Sequence, residues 1–167
     1  MLVLRTAKMV AVAAVAVLVS LVAFGNLTDY DTNFAFVQHV LLMDTIFPNA
    51  TIRYRAITNP ALHHAAYALI IAAEVLTAAL CWIGSVLLLR HVTDTGPSFN
   101  RAKRTAIAGL SVGLLLWQVG FMAIGGEWFG MWMAPQWNGI PSAFRFWVIT
   151  MGVLIFLSLP DLDSPER

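Results

Sequence analysis

Histidines near acids, one acid deep in an apolar run, and a concentration of tryptophan are the features of this chain that could do chemistry. The stretch NPALHHAAYALIIAAE, residues 59–74, sets His63 and His64 at the mouth of an apolar run and then sinks Glu74 into it. Three chemistries suit that pattern: a metal or haem site, a proton-handling acid, and the plain seating of a helix. Imidazole with carboxylate suits zinc or copper. A carboxyl in apolar surroundings must be protonated or hydrogen-bonded, because an unpaired charge there costs several kcal/mol.

Helical geometry divides these residues into layers. At ~100° per residue, His63, Tyr67, Ile70, Glu74, Thr77 and Cys81 fall within about 80° of one another, a polar stripe that should face other helices. His64 is turned ~100° from His63, so the pair cannot easily chelate one ion as an i, i+4 pair would. At ~1.5 Å rise, Glu74 lies about 16 Å below His63. For the deep layer, depth from the helix ends matches Glu74 with Gln118 and Thr150, predicting a buried polar cluster of Glu74, Gln118 and Thr150. Glu74 there is either a proton-carrying or ligand-anchoring acid or one half of a structural interhelical hydrogen bond.

The outer layer supplies a candidate binding cluster of His39, His63, His64, Tyr67, Asp44, Glu127 and Arg145, with Asp29 and Asp31 close by in sequence. A metal held by His39, His63 and a carboxylate is chemically reasonable, but no helical spacing enforces it. The plainer reading has these histidines capping a helix and bonding loop acids, with Arg145 paired to Glu127 to lower its insertion cost. Two-histidine haem ligation would need His39, since the third and fourth apolar runs contain no histidine. Trp128, Trp132, Trp137 and Trp147 form an aromatic belt at the membrane surface or line an aromatic pocket. No cofactor is therefore expected, with a metal or haem as the alternative.

The elements that must position these residues are membrane spans. Of 167 residues, 59% are hydrophobic and 11% charged, mean hydropathy is +0.76, and a spanning helix needs ~20 apolar residues. The expected fold is all-α, a four-helix transmembrane bundle with spans at about 5–25, 62–90, 103–126 and 142–160 and a short amphipathic helix in the first outer loop, all in one integral membrane domain, 1–167. That loop helix should start on Asp31 or Thr32, put Phe34, Val37, Val40 and Leu41 on one side, and stop by Pro48. Lys8 and Arg145, at the short first and last spans, are expected to snorkel. The basic, apolar first segment loosely resembles a signal peptide, but its core is long, and it is read as a retained helix.

Lys and Arg divide seven to three when both termini are inside: Arg5, Lys8, Arg90, Arg101, Lys103, Arg104 and Arg167 against Arg53, Arg55 and Arg145. This favours cytoplasmic termini. Net charge +1 gives no field for nucleic acid. Cys81, the single cysteine, reads as a packing residue, His91 as solvated, and Ser98 as the N-cap of the third span. Gly109 and Gly113 form a GxxxG that serves bundle packing or a homo-oligomer equally well. The expected partners are the bilayer and a membrane protein, either another one or a second copy. No P-loop, GxSxG or CxxC is present.

The blocks FGNLTDYDTNFAFVQHVLLMDTIFP, RAITNPALHHAAYALIIAAE, FNRAK and GGEWFGMW, followed by WNG and AFRF, resemble a bacterial family described as predicted small integral membrane protein, domain of unknown function 2165. The resemblance spans nearly the whole chain and implies a four-span, multi-pass protein of a bacterial inner membrane; it carries no activity. The expected role is non-enzymatic: an accessory, assembly or binding component of the envelope. The alternative is a redox- or transport-linked subunit with an outer-face metal, haem or quinone site and Glu74 as a buried proton carrier.

Overall fold

The computed structural model describes residues 1–162; Arg167, counted above among the inner charges, lies outside them. Among the described residues there is no strand. Four helical segments are long and apolar enough to cross a membrane: Leu2–Thr28, Pro60–Arg90, Gly96–Trp128 and Ile140–Ser158. They leave large side chains such as Leu21, Phe24, Leu69, Val75, Ile83, Leu115 and Ile155 exposed. Such faces are stable only against lipid, and the chain is an integral, multi-pass membrane protein of all-α fold.

The first span is α1 (Leu2–Thr28), which buries Val12, Val15, Ala16, Val19 and Ala23 at helical spacing. A single non-helical residue, Asp29 (φ −118°, ψ 56°), separates it from α2 (Tyr30–Leu42). The loop helix thus starts before Asp31 and Thr32. It ends well short of Pro48, because Met43 adopts the left-handed conformation (φ 52°) and its N–H closes the helix on the carbonyls of His39 and Val40. Val37 and Leu41 of α2 pack with Tyr67, Phe129 and Met133, so the helix lies over the bundle as a cap.

The second span is α3 (Pro60–Arg90), opened by Pro60 and by the Asn59 side chain, which accepts from the Ala61 N–H at 2.9 Å. The polar stripe faces inward: His63, Tyr67, Glu74, Thr77 and Cys81 are all buried. The third span consists of α4 (Gly96–Ala102) and α5 (Arg104–Leu115) and then widens into a π-helical stretch, Leu116–Trp128. Ser98 is not its cap; Thr95 holds that position and the Ser98 hydroxyl donates to Asp94. The fourth span is α6 (Ile140–Ser158).

Glycine sets the closest helix approach. A Cβ on Gly84 would stand 2.6 Å from the Ala106 backbone nitrogen, and one on Gly109 would stand 2.8 Å from the Leu80 Cβ. Gly113 faces Thr77. The GxxxG therefore joins α5 to α3 within one chain, leaving none of its surface for a second copy.

At the end holding the N-terminus, the spans are tied by charge. Lys8 does not snorkel: it is fully buried, 2.6 Å from Asp161 and 2.7 Å from the Leu159 carbonyl. Lys103 reaches the same two groups at 2.6 and 2.8 Å. Asn100 and Asp161 exchange hydrogen bonds between side chain and backbone at 2.9 and 3.1 Å. Past Ser158 the chain turns back under the bundle, and Asp161 brings the counter-charge to lysines that would otherwise have to reach for water.

Candidate functional site

The deep layer is built on Asn26, in the last turns of α1. Its side-chain amide donates to both carboxyl oxygens of Glu74, at 3.0 and 2.8 Å. Its backbone carbonyl accepts from the Tyr67 hydroxyl at 2.9 Å. Tyr67 and Glu74 lie seven residues apart on one face of α3, so α1 is stitched to α3 at two levels by one residue.

The predicted cluster of Glu74, Gln118 and Thr150 is not formed. Gln118 is exposed and accepts from the Trp147 indole at 2.8 Å on the outside of the bundle. Thr150 is buried beside Gly113 and Thr77, one layer away. Depth alone paired these residues; rotation separates them. Four residues per step from Gly109 leads through Gly113 to Trp117, so it is Trp117 that points inward.

A cavity of about 290 Å³ opens above Glu74. Glu74, Tyr67 and Trp117 are buried at its base; Asn138 and Ser142, both exposed, stand at its rim with the half-buried Asn33. Its walls are aromatic. Trp117 stacks on Phe146 (centroids 4.6 Å apart, 23°) and meets Phe121 at 5.1 Å, and Phe36 of α2 leans over Phe121 at 6.4 Å. All four spans and the cap helix contribute to it. The π-helical stretch matters locally, because its wider turn carries Trp117 and Phe121; the Phe129 N–H still bonds five residues back, to Ile124, at 3.0 Å. Among the described residues, no Lys, Arg or His lines this cavity. The site offers one carboxyl, three amides, two hydroxyls and aromatic faces, a set that accepts hydrogen bonds and favours positive charge.

The outer cluster is dispersed. His39 pairs with Asp44 at 2.8 Å and stacks on Trp137 at 4.5 Å. His63 is buried, and its Nε2 donates to the Ile57 carbonyl at 2.7 Å, holding the 3₁₀ turn Thr51–Arg55 and its exit against α3. His64 stacks flat on Phe34 (4.1 Å, 3°) and bonds the Tyr30 hydroxyl at 2.9 Å. Glu127 and Arg145 are not paired: Glu127 lines a separate recess with Arg55, while Arg145 turns back to the Pro141 carbonyl and the Ser142 hydroxyl. No three His, Cys, Asp or Glu side chains converge among the described residues. The placement follows from local chemistry, since each imidazole has a nearer partner than another imidazole.

The tryptophans divide by position. Trp128 and Trp132 are exposed, the first under the Arg55 guanidinium at 4.6 Å, the second edge-on to Phe47. Trp137 and Trp147 are half-buried and occupied by His39 and Gln118. None of the four lines the cavity. Asn26, Asn33, Trp117 and Asn138, which do line it, were not singled out by sequence.

Fold and site define an integral membrane protein of four helical spans with a polar, aromatic-walled cavity inside the bundle. The chain belongs to the family described as predicted small integral membrane protein (DUF2165), which it matches over residues 4–160. No curated protein and no solved structure matches it.

Proposed function

We propose that this chain is a non-enzymatic binding protein of the bacterial inner membrane, with both termini in the cytoplasm, whose intramembrane cavity holds a small organic cation. One observation carries the reading: Glu74 forms the base of an aromatic cavity that no cationic side chain lines among the described residues. An acid in a low-dielectric site gains from a counter-charge. Each ring face adds roughly 0.5–2 kcal/mol of cation–π attraction. The bond from Asn26 fixes the carboxyl in place before any ligand arrives, which lowers the ordering cost of binding. No histidine or cysteine lines the cavity to activate a nucleophile, which favours binding over catalysis.

Calorimetric titration of the purified protein in nanodiscs with tetramethylammonium tests this. Saturable binding is expected, lost by at least tenfold in Glu74→Gln while thermal unfolding stays cooperative. Equal binding by wild type and Glu74→Gln, or none by either, sinks the reading. The seven-to-three distribution of Lys and Arg supports the orientation. A reporter fused after residue 162 that is active only outside the cytoplasm should stay silent.

A further inference from the structure

A second hollow adjoins the acid-based cavity and differs from it in kind. It encloses about 180 Å³ between α2, α3 and the π-helical stretch, and every side chain around it is apolar. The two spaces share a partition made of Phe36, Val37, Ile70 and Phe121. Gly120 and Gly125 line the hollow without side chains, and a Cβ on Gly120 would meet only Leu116, at 3.7 Å. At its edge, Leu69 and Ile124 are exposed, so the hollow opens where the bilayer packs.

We propose that the ligand is amphipathic: a single aliphatic chain carrying an amine or quaternary ammonium head, the head against Glu74 and the chain in this hollow. The inference rests on the cation-binding reading and adds the class of molecule and its route. One chamber offers an acid and amides, its neighbour nothing but hydrocarbon, and the layer between them is one side chain thick. A short polar cation leaves the apolar chamber empty; a neutral lipid leaves Glu74 without a counter-charge. Phe121 stands in the partition between the chambers, and a chain already dissolved in the bilayer reaches the hollow between Leu69 and Ile124 without crossing water.

The test uses an alkyltrimethylammonium bearing a diazirine at the chain terminus, with the protein in phosphatidylcholine nanodiscs, and maps photolabelled residues by mass spectrometry. Labels are expected on Leu69, Gly120 or Ile124, suppressed by excess tetramethylammonium and reduced at least tenfold in Glu74→Gln. Gly120→Leu fills the hollow from a position with space and leaves the acid untouched. It should remove those labels while calorimetry with tetramethylammonium is unchanged. If tetramethylammonium binds but the chain labels α1 or α6 instead, the amphipathic inference is overturned and the cation site stands. Labels in the hollow that persist in Glu74→Gln overturn it as well, since the hollow then takes lipid chains regardless of the head. If tetramethylammonium itself does not bind, both readings fall together.

Discussion

Lys8 and Asp161, 153 positions apart in sequence, meet at 2.6 Å with neither side chain exposed to solvent. Breaking a buried pair by removing one partner leaves an uncompensated charge, at a cost of about 3–5 kcal/mol. Asp161→Asn, which strands Lys8 and Lys103 together, should therefore lower stability by that order, whereas Lys8→Met leaves Asp161 its 2.6 Å pair with Lys103 and should cost less. Unfolding in a graded detergent series measures both.

The same carboxyl predicts a pH dependence. Burial pushes Asp161 up, but the hydrogen bonds and charges of Lys103 and Lys8 outweigh burial and hold it below its ordinary value. A depressed folded value means stability that is fully present above the unfolded value of about 3.9 and lost as pH falls through the folded one. Thermal stability should accordingly show no pH dependence from this group between about pH 5 and 8, where its contribution is fully present, and an acid-side loss below about pH 4 that Asp161→Asn abolishes.

Asn26→Leu removes the donor to Glu74 and should cost about 1–3 kcal/mol, the penalty for an unsatisfied buried acceptor. Tyr67→Phe gives up only the bond to the Asn26 carbonyl, about 1 kcal/mol. Because both bonds converge on one residue of α1, the double variant should be less than additive.

Small residues separate two kinds of glycine. Gly84→Val drives a side chain into the Ala106 backbone and should destabilise by about 1–3 kcal/mol or more. Gly152→Ala meets nothing within 4 Å and should be neutral or slightly stabilising, by up to about 1 kcal/mol. Comparing the two melting curves checks the claim that α3 and α5 pack through glycine.

Chelation gives a fifth test. His39 is committed to Asp44 and His63 to the Ile57 carbonyl, so treatment with a strong chelator should leave thermal stability and cation binding unchanged. A drop in melting temperature that added zinc reverses would contradict that.

The spans and the inward stripe of α3 are legible in the sequence because a bilayer imposes length and periodicity on every helix that crosses it. The partner of Glu74 is not. Ending the first span near residue 25 puts Asn26 in a loop, whereas α1 runs on to Thr28 and keeps Asn26 on a helical face. Depth then suggested Gln118, although the Gly109–Gly113 ridge, extended by four, already pointed to Trp117. Asp161 was equally hidden, since it follows a helix end and a proline. Lys8 and Lys103 left a trace of it: two buried cations near one end of a bundle demand a carboxylate, and Asp161 is the first acid after α6. The histidines misled for a different reason. Residue type indicates what a side chain is able to bind, while the backbone carbonyl or aromatic ring beside it decides what it does bind.

Asp29 gives the cap a mechanical meaning. It is the one non-helical residue between α1 and α2, and Asn26 stands three positions before it. The cap helix and the amide that grips Glu74 are therefore joined through less than one helical turn of backbone. The orientation of the cap and the placement of the buried acid's partner are fixed by the same few residues.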